Sequence, residues 1–140
     1  MIALDTNIIV GAMVASHPLH QPITQKIKTL KDNFCTTPTN VGEVFRLLTH
    51  PKVFQSPIKI TPATQAFSDF IQSHHIRLLD ESTEWWKELP KIEKTNPGLK
   101  GNEVFDARIA ICLKQHNVKQ ILTQDTDFKK YDFLQTIFIE

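Results

Sequence analysis

The chain is poor in everything that a disulfide-stapled, membrane-spanning or strongly charged protein depends on. Cys35 and Cys112 are the only cysteines in 140 residues. Cys35 falls in a predicted strand and Cys112 on the apolar face of a predicted helix, so buried thiols are expected rather than a disulfide. No CxxC or Cys/His spacing suggests zinc. Apolar runs are as short as Ile8–Val10 and Val104–Phe105, far below the roughly 20 residues that span a bilayer. The opening MIALD lacks a basic stretch and a cleavage site; it reads as a strand rather than a signal peptide, with a cytoplasmic location as the default expectation. The net charge is only +1 and the pI about 7.8, which argues against strong sequence-independent binding to nucleic acid. With no repeat, low-complexity tract or linker, residues 1–140 read as a single domain.

What the chain does have is a regular alternation of short apolar strands and amphipathic helices. Ile2–Leu4 reads as the first strand, entering a helix from about Asn7 to Val14. After Pro18 and Pro22, the spacing of Ile23, Ile27 and Leu30 predicts a second helix to about Lys31. Asn33–Thr36 is a second strand, followed by a helix with Val41, Val44, Phe45 and Leu48 on one stripe that ends at His50-Pro51. Ile58–Ile60, between two prolines, reads as a short extended piece. The next helix turns Ala63, Phe67, Phe70 and Ile71 inward. Ile76–Leu79 is the third strand and Ser82–Lys94 a helix. A turn at Asn96-Pro97-Gly98 leads to a helix opened by Asn102, with Phe105, Ile109, Cys112 and Leu113 toward the core. Lys119–Thr123, a helical turn at Asp125–Lys130 and Thr136–Ile139 complete the pattern. This alternation predicts an α/β sandwich: a mostly parallel sheet of about five strands flanked by helices.

Asp5, Glu43, Asp106 and Asp125 fall where strands of such a sheet end or helices begin. In a parallel sheet these positions share one edge. Each has a bland alternative. Asp5 suits a helix cap, Asn40-Val-Gly-Glu43 fits a capping box, and Asp106 suits the dipole of a helix start. Of Asp125 and Asp127, one is expected to cap and one to face the pocket, with Asp125 favoured. Together, the acids would crowd negative charge that a hard divalent cation, most simply Mg²⁺, would neutralise.

The segments MIALDTNIIV, TPTNVGEVFRLLTHPKVF, GNEVFDARIAI and ILTQDTDFKKYDFL resemble, in order and spacing, the PIN-domain ribonucleases, and most closely the VapC-type toxins of toxin–antitoxin pairs. The resemblance implies a PIN-like three-layer sandwich and an endoribonuclease dependent on Mg²⁺ or Mn²⁺. It matches the family's acids to Asp5, Glu43, Asp106 and either Asp125 or Asp127, with Thr6, Asn7 and Thr123 as supporting polar residues. It also implies a homodimer and a small antitoxin that inserts an Arg or Lys among the carboxylates. Single-stranded or loop RNA is the expected substrate, transfer RNA being one candidate. Arg46, Lys52, Lys100, Arg108, Lys129 and Lys130 are candidates to hold its backbone, with Arg108 foremost. Trp85, Trp86 and Phe54 are further candidates for base stacking, although core packing or a protein interface is the simpler reading of all three.

Two rival readings use the same fold. A phosphotransfer domain would want a second acid beside the first strand, where the sequence has Asn7. A non-catalytic binding module would be expected to lack one or more of the acids.

Overall fold

Ile2–Leu4 (β1), Phe34–Thr36 (β2), Arg77–Leu78 (β3), Gln120–Leu122 (β4) and Gln135–Ile137 (β5) are short strands rich in the apolar residues that parallel sheets bury on both faces. In the computed structural model, which describes residues 1–139, they form one sheet in the order β3-β2-β1-β4-β5. Every pairing is parallel. Successive side chains point to opposite faces, and the packing follows that alternation. Ile2, Leu4, Phe34 and Leu122 belong to one buried cluster, whereas Ala3, Cys35 and Ile121 belong to another.

The first cluster is closed by α1 (Thr6–Met13), α2 (His20–Thr29), α3 (Pro38–Leu48) and α4 (Ile60–Ser73). The second is closed by α5 (Leu89–Thr95), α6 (Glu103–Gln115) and the 3₁₀ turn Thr126–Lys130. The result is the three-layer sandwich expected of the sequence. Both cysteines are buried and free. Among the described residues, no helix is long and apolar enough to cross a membrane.

Three expectations change. The extended piece ends one residue early: Lys59 is extended and the Ile58 N–H donates to the Leu48 carbonyl at 2.9 Å, but Ile60 already starts α4. Pro62 fits there because a first-turn residue needs no amide donor. The single helix over Ser82–Lys94 is a 3₁₀ turn at Trp85–Glu88 followed by α5, with Pro90 in the first turn of α5. Proline cannot donate into a continuous helix from further upstream. Finally, Phe105 is not in the core but 51% exposed. The buried face of α6 begins at Ala107, and the first turn of that helix projects into a cleft at the sheet rim.

Leu122 is fully buried at the sheet centre and Leu78 is 46% exposed on the edge strand. Leu122→Ala is therefore expected to cost about 2–5 kcal/mol, and Leu78→Ala within about 0.5 kcal/mol of nothing. Urea unfolding of both variants checks the assignment.

Candidate active site

The strand order reverses direction at β1, whose neighbours are β2 on one side and β4 on the other. In an open parallel sheet this reversal leaves a crevice beyond the C-terminal strand ends. Asp5 stands at the end of β1 and caps α1, accepting from the Thr6 N–H at 2.8 Å. Capping does not consume the carboxylate. Thr123, at the end of β4, donates its hydroxyl to Asp5 Oδ2 at 2.6 Å, and Asn40 Nδ2 donates to Oδ1 at 3.1 Å. Asp5 is 6% exposed, and desolvation raises its pKa despite these three donors, with the Asp125 charge adding to the rise.

Asn40 is the residue that sequence reasoning misplaced. Thr37, not Asn40, is the N-cap of α3, so Asn40 stands at the third helical position. The Thr37 hydroxyl donates to Asn40 Oδ1 at 2.7 Å, and Asn40 Nδ2 also donates to Thr6 Oγ1 at 3.0 Å. A polar chain thus runs from the start of α3 through Asn40 to Asp5 and on to Thr123. Thr6 and Thr123 are buried within it, whereas Asn7 is exposed. The Thr37-Pro-Thr-Asn40 spacing was the legible signal, hidden by the weaker capping-box pattern starting at Asn40.

With the cap moved to Thr37, Glu43 lies beyond the first turn of α3 and is not held as a capping group. Burial raises its pKa first and the Asp5 charge second, while Arg46 works in the opposite direction. Asp106 comes from the opposite wall, in the first turn of α6. Its carboxyl is pushed up to about 7, chiefly by desolvation, then by Asp125, Asp5 and Asp127, with Lys130 opposing.

Asp125 and Asp127 do not divide the labour as the sequence suggested. Asp125 caps the 3₁₀ turn, accepting from the Asp127 N–H at 2.8 Å. Its own N–H donates to Thr123 Oγ1 at 2.9 Å. Both aspartates nonetheless join Asp106, with one oxygen of each within 4.8 Å of the others. The Tyr131 hydroxyl is buried without a hydrogen-bond partner, and burial and the Asp106 charge both raise its pKa. The acids are thus linked electrostatically along the rim: Asp5 acts on Glu43 and on Asp106, and Asp125 and Asp127 act on Asp106. The donor set is all carboxylate, the choice of a hard divalent ion, and its mutual repulsion is the imbalance such an ion would relieve.

The cleft that Glu43 and Asp106 line has a volume of about 770 Å³. Pro38, Thr39, Gly42, Glu43 and Arg46 line one wall, and Asn102, Phe105, Asp106 and Arg108 the other. The basic candidates separate here. Arg46 is exposed on the wall. Arg108 is already engaged: its Nη2 and Nε donate to Glu81 at 2.6 and 2.7 Å, and its guanidinium lies 4.6 Å from the Trp85 ring centroid. That arrangement fastens α6 to the preceding segment and gives Trp85 a structural occupation. Lys129 lies over Phe138 at 5.0 Å, whereas its neighbour Lys130 is the one that acts on Asp106. Lys100 is exposed in the loop before α6, outside the cleft lining, and Lys52 is exposed beyond α3. Phe54 packs against the first cluster and Trp86 is exposed with Lys87 over its ring.

A parallel sheet with acids gathered at its switch point is the architecture of the PIN domain. Residues 2–134 match the family model described as PIN domain, and the chain belongs to that family. Ribonuclease VapC48 of Mycobacterium tuberculosis is 26% identical over 136 residues, covering 91% of this chain and 90% of that protein. Ribonuclease VapC24 of the same organism is 24% identical over 137 residues, with 91% of each covered. Among solved structures, VapBC2 from Rickettsia felis, bound to a promoter DNA fragment, aligns at TM-score 0.71 and 20% identity over 100% of both chains. VapC20 of M. tuberculosis, a toxin that cleaves the Sarcin-Ricin loop, aligns at TM-score 0.72 and 15% identity, with 96% of this chain and 98% of that one covered.

The Asp106 carboxyl gives a pH test in metal-free protein. Its folded pKa of about 7 exceeds the ordinary value of 3.8, so between these values the folded state holds more proton than the unfolded one. Stability must then fall as pH rises through that window and level off above it. Thermal melts in EDTA from pH 4 to pH 8 are expected to show this fall, and Asp106→Asn to flatten it and melt higher than the parent at pH 8.

Proposed function

We propose that the protein is a metal-dependent endoribonuclease that hydrolyses RNA phosphodiester bonds as the toxin of a toxin–antitoxin pair. The observation that carries this reading is the gathering of Asp106, Asp125 and Asp127, one oxygen of each within 4.8 Å of the others, beside a cleft lined by Glu43 and Asp106, with the Asp5 charge acting on both Glu43 and Asp106. Membership of the PIN family and the ribonuclease relatives support the reaction class.

Asp106, Asp125 and Asp127 would hold Mg²⁺ or Mn²⁺, with Asp5 and Glu43 completing the acidic surround. When bound, the ion supplies positive charge to the scissile phosphate and acidifies water. The remaining chemistry belongs to the chain. The sheet, Thr123 and Asn40 keep Asp5 in a single orientation, and Thr123 links it to the Asp125 backbone. Glu43, free of capping duty and raised in pKa, accepts the proton of the attacking water. Arg46 holds phosphate on the open side of the cleft. The products carry a 5′-phosphate and a 3′-hydroxyl, as in the family this chain resembles.

The partners follow from the same reading: a second copy of the chain, and a small antitoxin whose Arg or Lys occupies the carboxylate cluster. A cation there would offset the repulsion that raises the pKa of Asp106. We infer a cytoplasmic location, where a cellular RNA substrate would be met.

Asp5→Asn and Asp106→Asn are each expected to reduce cleavage by at least about a hundredfold without lowering the melting temperature. EDTA should silence the parent, and Mg²⁺ or Mn²⁺ should restore it. RNA cleavage at the parent rate in excess chelator, or by the Asp5→Asn protein, would refute this function. Glu43→Gln is expected to keep full stability while losing most activity, which denaturation and cleavage assays measure together.

A further inference from the structure

The α3–α6 cleft carries two features that neither folding nor the carboxylate chemistry requires. The first is Phe105, a large apolar side chain 51% exposed one residue before Asp106. The second is Gly42, in the interior of α3 one residue before Glu43. A glycine inside a helix costs about 1 kcal/mol relative to alanine. It is usually tolerated where a Cβ would collide, yet a Cβ built at Gly42 has no neighbour within 4 Å. Packing does not require this glycine, and any side chain there would take up space in the cleft that Gly42 lines.

The two residues belong to facing walls. Thr39, Gly42, Glu43 and Arg46 recur at helical spacing on α3, and Asn102, Phe105 and Asp106 on α6. The cleft therefore offers an exposed aromatic side chain on one side and a bare stretch of helix on the other, with the carboxylates of Glu43 and Asp106 and an exposed arginine in the same lining. A flat, apolar-faced group attached to a phosphate matches that arrangement: the aromatic face takes a π-surface and Arg46 a neighbouring backbone phosphate.

We propose that Phe105 and Gly42 form a subsite for one unpaired nucleobase flanking the scissile phosphate, with Phe105 stacking on the base and Gly42 leaving the width for it. The inference rests on the nuclease reading above and names what that site selects. Stacking on a single aromatic ring requires a base already out of a duplex, so the subsite favours loop or single-stranded RNA. Phe105 acts by binding and orientation and takes no proton.

The test begins with a degenerate pool of linear and hairpin-loop RNAs digested by the parent protein with Mn²⁺, the cleaved ends being sequenced to find a preferred site. One RNA of that sequence is then made with an abasic residue in turn on either side of the scissile phosphate. Phe105→Ala is expected to lower kcat/KM about tenfold on the intact RNA, in line with the loss of a stacked base. Phe105→Trp should retain the parent value. An abasic residue at the stacked position should cost the parent about tenfold and the Phe105→Ala protein almost nothing. A 2-aminopurine at that position, read in Ca²⁺ to compare binding, should be quenched by the parent and not by Phe105→Ala. Gly42→Leu should lower kcat/KM at least tenfold with an unchanged or higher melting temperature.

If the parent cleaves none of the pool with Mg²⁺ or Mn²⁺, the nuclease reading falls and this subsite with it. If the parent cleaves but Phe105→Ala matches it, or the abasic residue costs both proteins equally, the subsite alone is overturned. Unchanged cleavage by Phe105→Ala with weakened capture of an antitoxin would likewise overturn it, assigning the exposed ring to a protein partner.

Discussion

The site is organised around one buried carboxylate. Asp5 ends the central strand, caps the first helix and binds Thr123 and Asn40 from two other elements. A charge withdrawn from water is costly unless donors surround it. Here the donors lie on β4 and α3, so satisfying Asp5 also fixes where these elements stand relative to β1. Burial still outweighs the donors, and the group's pKa remains raised. The fold has thus placed an electrostatic deficit at its own switch point, one that a cation would relieve.

The neighbouring acids enlarge that deficit. Asp106 and Glu43 are only partly buried, yet burial is the largest cause of the raised pKa in each, and other carboxylates add to it. Among the described residues, Arg46 opposes the rise at Glu43 and Lys130 that at Asp106, and neither outweighs it. Arg108, the nearest arginine along α6, is taken by Glu81 and Trp85. The rim is consequently short of positive charge where a phosphate would have to enter. An ion carried with the RNA or held by the aspartates would meet that need, and the basic side chains further out can then act on the rest of the backbone.

Much of this was legible in short-range pattern. The strand–helix alternation located every strand to within two or three residues, because buried parallel strands and amphipathic helices have different apolar periods. The acids at strand ends and helix starts could be named from position. The errors share a cause. Asn40 seemed a cap and Phe105 a core residue because local spacing allows both, but spacing carries no information on where a layer ends. The cap lies three residues earlier, at Thr37, and α6 begins beyond the sheet it covers. Arg108 seemed a free cation because Glu81 lies 27 residues away in sequence.

The sequence by itself determined the layered α/β architecture and the identity of the acids, since periodicity and chemical type are properties of residues and their near neighbours. Tertiary structure decided which acids face one another, which amide supports them, which arginine is spent in an ion pair, and that a phenylalanine stands in the open cleft. Those outcomes depend on burial and on contacts between distant segments, and neither exists until the sheet has assembled and brought the ends of β1 and β4 together.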